Sequence, residues 1–202
     1  MSKEKRNHNK TEAEAANKKK EAVKEIRDLV IYFAIVLAVS VLIVVFIAQR
    51  TVVEGDSMNP TLTNGDNLIV NKITYRFTDP KRFDIVVFPY QHMKHTYYIK
   101  RIIGLPGETV YIDPEGNIYI NDEILEEDYG KEIIKDAGRA SEPITLGDDE
   151  YFVMGDNRND SSDSRNHMVG NVHKKDFIGK IWIRIYPFKE FGIIPHEKKV
   201  SE

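Results

Sequence analysis

The sequence contains no cysteine among its 202 residues. Disulfide bonds, thiolate metal sites, iron–sulfur clusters and cysteine nucleophiles are therefore excluded. The sequence also has no excess of basic charge, because it contains 29 Lys and Arg and 32 acidic residues. This balance excludes a typical basic nucleic-acid-binding protein. A mean hydropathy of −0.43 excludes several membrane spans. The hydrophobic fraction of 41% excludes a fully disordered chain.

Residues 1–28 form a charged N-terminal segment that has little to bury. They include nine Lys or Arg and six acidic residues, and they contain no aromatic side chain. Such a segment cannot fix a fold by itself. Residues 11–27 are rich in Ala, Glu and Lys, which favours a helix. We interpret residues 1–28 as a charged tail.

Residues 29–48, LVIYFAIVLAVSVLIVVFIA, carry no charge. As a helix they would be about 30 Å long, the thickness of a bilayer's hydrocarbon core. A buried core helix would show a polar face. A cleaved signal peptide would have a shorter apolar region, of about 7–15 residues, and a better A-x-A site than Ala48-Gln49-Arg50. The pattern predicts an uncleaved transmembrane signal anchor.

Positive charge is concentrated on the N-terminal side of this segment. Five Lys and Arg lie between residues 18 and 27, whereas Arg50 stands alone just after the segment. The positive-inside rule then puts the N-terminus in the cytoplasm. It puts residues 49–202 outside, as an extracytoplasmic domain of a single-pass cell-membrane protein.

Residues 49–202 show many short, β-branched or aromatic runs separated by turn signals. This pattern is typical of a mainly β domain of short antiparallel strands. Residues 109–121 are predicted to form a hairpin around Pro114-Glu115-Gly116, and the polar residues 123–147 a surface excursion. The predicted strands are residues 67–71, 83–88, 96–103, 108–112, 117–120, 151–154 and 178–186.

Ser57 is a candidate nucleophile in GDSMNPTL, residues 55–62. Gly55 before it and Pro60 after it indicate a tight, irregular backbone, which can present a hydroxyl to a groove and an N–H to an oxyanion. Taken alone, the motif is better explained by an ordinary turn serine.

A serine nucleophile needs a base, and the sequence offers His or Lys. The histidines lie in polar, loop-like contexts typical of the surface: His8, His92, His95, His167, His173 and His196. Lys100 lies instead in the apolar run TYYIKRIIG, where alternation puts it on one strand face with Tyr98 and Ile102. Burial there could lower its pKa from about 10.4 to roughly 7–8, as a general base requires. The alternative is a lysine that reaches water from a sheet edge.

The third feature is GDNRNDSSDSR, residues 155–165, which is rich in turn formers and hydroxyl groups. It lacks the spacing of an EF-hand calcium loop. We interpret it as a loop braced by an ion pair, either Asp163 with Arg165 or Asp156 with Arg165. One of its hydroxyl groups could orient a neutral lysine.

Together these segments resemble bacterial type I signal peptidases, in the short, single-span form of Gram-positive organisms. The resemblance rests on an N-terminal anchor followed, in order, by GDSMNPTL, RFDIVVF at residues 82–88, YIKRIIGLPGE at residues 98–108 and GDNRNDSSDSR. It implies a membrane serine endopeptidase that removes leader peptides from exported preproteins through an acyl-enzyme. No metal or cofactor takes part in that mechanism.

The resemblance also implies a role for individual residues. Ser57 would be the nucleophile, Lys100 the general base and Ser161 the hydroxyl that hydrogen-bonds to the lysine amine and positions it. Asp163 and Arg165 would brace the loop, with Asp156 in the same role. Shallow S1 and S3 pockets for small residues at −1 and −3 would be lined by Val53, Met58, Leu62, Tyr98 and Ile99. The extended substrate would add a strand to an exposed edge.

Two positions depart from the family's pattern. Some members have a serine two residues before the nucleophile, whose hydroxyl completes the oxyanion hole; here that residue is Gly55, so the second donor would be backbone or water. Phe83 stands where Gly often precedes the aspartate of the third motif, which puts the local turn in doubt.

Two other functions remain open. One is a catalytically inactive, membrane-tethered binding domain on the same scaffold. The other is a self-cleaving Ser–Lys regulator, although residues 1–28 are too short for its DNA-binding domain. The expected partners are preproteins and the lipid bilayer, with no nucleic acid.

Overall fold

The structure, a computed structural model, describes residues 2–196. Residue 1, at the start of the predicted charged tail, and residues 197–202, at the end of the predicted β domain, lie outside the described residues. The described chain divides into an N-terminal helical unit and a β unit that begins at Phe46.

The N-terminal unit is one long helix. Helix α1 comprises Ser2–Phe46 and includes the predicted helix at residues 11–27. Its stretch Lys20–Ile43 has 24 residues and a mean hydropathy of 2.4, so it is long and apolar enough to cross a membrane. The apolar side chains in this stretch are exposed, for example Leu29 at 56% and Leu37 at 67%. A buried core helix would not show this exposure.

The predicted apolar segment ends at Ala48, two residues beyond the end of the helix. Helix α1 ends at Phe46, and Ala48 begins strand β1, Ala48–Val52. Strand β1 pairs with β2, Asn67–Asn71, and the N–H of Lys72 extends the ladder by donating to the Ile47 carbonyl at 2.8 Å. Apolar composition cannot separate the last residues of a membrane helix from a strand that follows it directly.

The larger sheet of the β unit has eight antiparallel strands. Besides β1 and β2, its strands are β3 (Ile85–Pro89), β4 (Tyr97–Gly104), β9 (Glu150–Met154), β10 (Val172–His173), β11 (Gly179–Tyr186) and β12 (Gly192–Ile193). Seven of the eight follow the order β1-β2-β11-β3-β4-β9-β10, and β12 pairs with β11. A short helix, α2 (Thr74–Phe77), follows β2.

The second sheet has four antiparallel strands in the order β7-β6-β5-β8. They are β5 (Thr109–Ile112), β6 (Ile118–Ile120), β7 (Glu123–Ile124) and β8 (Ile144–Thr145). Strands β5 and β6 form the predicted hairpin, with Val110 opposite Ile120. The mainly β architecture is therefore confirmed.

The segment at residues 123–147 is more than a surface excursion. It contributes β7, β8 and a single turn of 3₁₀ helix, Gly138–Ser141. Ile134, Ala140 and Leu146 from this segment are buried in one core cluster with Val110 and Phe152. Its polar composition conceals these few anchors, which attach it to the second sheet.

The predicted strands agree with the observed ones to within one residue at most ends. The larger difference is at residues 83–88, where β3 begins at Ile85. Phe83 has a φ of 71°, a left-handed conformation that cannot belong to a strand. Phe83 thus adopts a backbone conformation that glycine favours, at the position where the family often has Gly.

Candidate active site

Ser57 lies in the loop that follows β1. The N–H of Val53 donates to the Asp66 carbonyl at 2.9 Å, and the N–H of Leu62 donates to the Met58 carbonyl at 2.9 Å. Met58 and Leu62 are 1% and 0% exposed, so the loop is anchored by apolar side chains on both sides of its turn. The anchors hold Ser57 at the surface of a cleft.

Gly55 has a φ of +91°, a conformation that L side chains rarely adopt. A serine at this position would be strained, although a Cβ would meet nothing within 4 Å. The backbone conformation therefore favours glycine at the position where some family members have a serine that donates to the oxyanion. The N–H of Ser57 donates to no acceptor among the described residues, which leaves it available to a ligand.

Lys100 lies inside the larger sheet, on β4, opposite Val86 of β3. It is 3% exposed, and its Nζ lies 2.7 Å from the Ser57 Oγ. Burial lowers the pKa of Lys100 to about 8, because desolvation outweighs the attraction of Asp163 and Asp156. About one tenth of the amine is therefore neutral at pH 7 and about half at pH 8, and the neutral amine can accept the Ser57 proton.

The loop at residues 155–165 contains the ion pair between Asp163 and Arg165, with Nη2 and Oδ2 2.8 Å apart. Asp163 also accepts a hydrogen bond from the N–H of Gly155 at 3.0 Å. The other sequence alternative, Asp156 with Arg165, is wrong. Asp156 pairs instead with Arg101, 2.7 Å away, and both side chains are 0% exposed.

The expected hydrogen bond between Ser161 and Lys100 is not formed in the structure. The Ser161 Oγ is buried and has no hydrogen-bond partner. It lies 2.3 Å from the point that a Cβ on Gly155 would occupy, and the Ser57 carbonyl oxygen lies 2.4 Å from the same point. The hydroxyl is thus packed against the backbone of Gly155, and the orienting role of Ser161 stays a prediction.

A cleft of about 660 Å³ opens beside the Ser57–Lys100 pair. Four of the five predicted pocket residues line it: Val53, Met58, Tyr98 and Ile99. Leu62 does not, because it is fully buried in the core with Leu68 and Ile181. The cleft also includes Arg50, Glu54, Asp56, His95 and Asp160, so it is polar at its rim.

The cleft has a free strand edge along one wall. Strand β4 pairs with β9 only from Arg101 onward, so Tyr97–Lys100 have β3 on one side and no strand on the other among the described residues. The chain that leaves β1 also lines the cleft, from Val53 to Ser57. An extended peptide can therefore hydrogen-bond between these two segments.

Sequence reasoning missed Arg101. Its guanidinium pairs with Asp156, donates to the Phe83 carbonyl at 3.0 Å and lies 3.7 Å from the Tyr129 ring centroid. A signal was present: Lys100 and Arg101 are consecutive in an apolar strand, so they point to opposite faces. Two such charges in an interior strand require either a partner or a chemical role.

The sequence matches one protein family and several named relatives. The profile of a family described as "Signal peptidase, peptidase S26" matches residues 26–186. The chain is 39% identical over 178 residues to "Signal peptidase I P" of Bacillus subtilis subsp. natto, covering 85% of this chain and 95% of the relative. It is 37% identical over 187 residues to "Signal peptidase I" of Bacillus licheniformis, covering 89% and 97%.

A third relative, "Signal peptidase I" of Leptolyngbya laminosa, is 40% identical over 154 residues and 73% of each chain. Among solved structures, a signal peptidase I from Enterococcus faecalis V583 matches with 34% identity and a TM-score of 0.41. The match covers 51% of this chain and 97% of that one.

Proposed function

The chain belongs to the signal peptidase family, peptidase S26, and is thus a serine peptidase of signal-peptide processing; we propose that Ser57 and Lys100 carry out its reaction. The distance of 2.7 Å between the Lys100 Nζ and the Ser57 Oγ, with the lysine 3% exposed, supports this proposal most directly. A solvated surface lysine would stay protonated and could not serve as a base.

The proposed reaction is acyl transfer. Neutral Lys100 takes the proton of the Ser57 hydroxyl as Oγ attacks the scissile carbonyl carbon. The resulting ammonium group then donates that proton to the leaving amine, which becomes the N-terminus of the mature protein. In the second half, Lys100 takes a proton from water, the hydroxide attacks the ester, and the proton returns to the Ser57 Oγ.

The developing oxyanion needs hydrogen-bond donors. The N–H of Ser57 is the proposed donor because it has no acceptor among the described residues and its residue lines the cleft. The Asp163–Arg165 ion pair is proposed to brace the loop beside the base. Asp156 has the same proposed role through Arg101.

The substrate is proposed to be an extended leader peptide with small residues at −1 and −3. Val53, Met58, Tyr98 and Ile99 would line the pockets for these residues, while the free edge of Tyr97–Lys100 would bind the peptide backbone. Met58 is 1% exposed and Val53 is 4% exposed, so both reach the cleft only as a shallow apolar floor. We expect such a floor to favour small side chains over bulky ones.

Helix α1 is proposed to anchor the enzyme, with its N-terminus in the cytoplasm and the β unit on the outer face of the cell membrane. The apolar stretch Lys20–Ile43 and the five Lys and Arg between residues 18 and 27 support this. Preproteins are held in the same membrane by their own apolar leaders. Enzyme and substrate then meet at a raised effective concentration.

The test is cleavage of a preprotein with an A-x-A leader by the full-length protein in liposomes, with the new N-terminus read by mass spectrometry. We expect cleavage after the −1 residue, and loss of cleavage when Ala at −1 or −3 is replaced by Leu. Replacement at −2 is the matched control and should have little effect. A well-folded protein that binds leaders and cleaves none would instead identify the inactive, membrane-tethered binding domain.

A further inference from the structure

Asn157 contacts the nucleophile loop from the neighbouring loop at residues 155–165. It is 6% exposed. Its side-chain Nδ2 donates to the Asp56 carbonyl at 3.2 Å, and its own N–H donates to the Ser57 carbonyl at 3.0 Å. The carbonyls on both sides of the nucleophile are therefore held by one residue.

The Asp56 carbonyl and the Ser57 N–H belong to the same peptide group. That peptide is not among the cis bonds of the described chain, so its C=O and N–H point in opposite directions. A donor that fixes the carbonyl therefore also fixes the N–H. The N–H of Asn59 adds a second hydrogen bond to the Asp56 carbonyl at 3.0 Å.

We infer that Asn157 is a positioning residue that aims and strengthens the Ser57 N–H as the oxyanion donor; this rests on the function proposed above. Two donors on the Asp56 carbonyl stop the peptide plane from rotating. They also polarise the peptide group, so that its N–H becomes a stronger donor. The N–H itself has no acceptor among the described residues, and so it is free for the oxyanion.

The support for Asn157 is itself rigid. The preceding residue, Asp156, is bound by Arg101 through two hydrogen bonds, from Nε at 2.8 Å and from Nη2 at 2.7 Å. Arg101 is the neighbour of Lys100 on β4. The nucleophile loop is thus held in register with the strand that carries the base, through Asn157, Asp156 and Arg101.

The test compares Asn157→Ala and Asn157→Asp with wild type, in the full chain in liposomes. Asn157→Asp keeps the shape of the side chain but places a carboxylate where the amide donor was. Asn159→Ala is the matched control, because this exposed asparagine donates to Glu132 and to the Ile133 carbonyl instead. Each variant is first shown to be folded by its thermal midpoint.

We expect kcat on a preprotein to fall about 10- to 100-fold in both Asn157 variants, with KM within about twofold, because an oxyanion contact forms only in the transition state. The affinity of a leader-peptide boronate, which forms a tetrahedral adduct on serine, should fall by the same factor. Binding of the uncleaved leader peptide should not change. Asn159→Ala should match wild type.

Unchanged kcat in a folded variant would overturn the inference, as would a rise in KM alone or a boronate affinity equal to that of wild type. If Asn157→Ala does not fold, Asn157→Asp decides by the same criteria. Wild type and Ser57→Ala are run beside them. If wild type cleaves the preprotein and Ser57→Ala does not, the proposed function stands whatever the result for the Asn157 variants. If wild type does not cleave, the proposed function and the inference about Asn157 are both overturned.

Discussion

The protonation state of Lys100 controls how much enzyme is active under the proposed mechanism. Burial lowers its pKa to about 8. Below that pH the amine is charged and cannot accept the Ser57 proton. We therefore expect kcat/KM to rise about tenfold per pH unit up to about pH 7 and to level off above about pH 8. A profile that stays flat between pH 6 and 9 would contradict Lys100 as the base.

Gly155 has no room for a side chain. A Cβ there would lie 2.3 Å from the Ser161 Oγ and 2.4 Å from the Ser57 carbonyl oxygen. Gly155→Ala must displace the nucleophile loop, and we expect kcat/KM to fall by about 100-fold or more. Gly192→Ala is the control, because its Cβ would meet nothing within 4 Å and its φ is not positive. Equal kcat/KM for the two variants would refute this steric argument.

For individual residues, the sequence predicted the two that are proposed to react and missed the residues that position them. Ser57 and Lys100 stood out by motif and context, and the structure puts them 2.7 Å apart. Asn157 looks like an ordinary polar residue in sequence. Arg101 stands out as a second charge in an apolar strand, but its partner Asp156 lies far along the chain and no local pattern identifies it.

Among the elements, strand β4 and the loop at residues 155–165 are joined by the buried pair of Arg101 and Asp156. Arg101→Met would leave the Asp156 carboxylate buried without its partner. We expect the free energy of unfolding to fall by about 3–5 kcal/mol, measured by urea denaturation. Arg82→Met breaks the more exposed Arg82–Glu108 pair and should cost less. If Arg101→Met loses no more free energy of unfolding than Arg82→Met, the buried pair is not what joins strand β4 to the loop at residues 155–165.

Element boundaries could be predicted where turn residues mark them. The hairpin of β5 and β6 has Pro114-Glu115-Gly116 at its turn and was found. Strand β1 was missed because it is short, has a polar centre at Gln49–Thr51, and follows helix α1 with only Ile47 between them. The anchors of residues 123–147 were missed because Ile134 and Ala140 are too widely spaced to form a periodic pattern.

For the whole molecule, the central prediction is its orientation in the membrane. The absence of cysteine allows a single introduced cysteine to be labelled uniquely. In intact cells a membrane-impermeant maleimide should label Glu115→Cys, an exposed turn position of the β unit, and should not label Asn7→Cys. Both should react after the membrane is opened, and the wild-type chain should not react at all. Labelling of Asn7→Cys in intact cells would reverse the proposed topology.

The pairing of Ser57 with a neutral Lys100 is tested most directly by the single-turnover rate on one preprotein in liposomes, measured for Ser57→Ala and Lys100→Met beside wild type. The matched controls are Ser162→Ala, which changes another serine of the cleft, and Lys94→Met, which changes an exposed lysine in the loop before β4. We expect cleavage to vanish in the first two variants and to stay at the wild-type rate in the controls. Cleavage that survives in folded Lys100→Met would contradict the lysine as base, and cleavage that survives in Ser57→Ala would contradict the nucleophile.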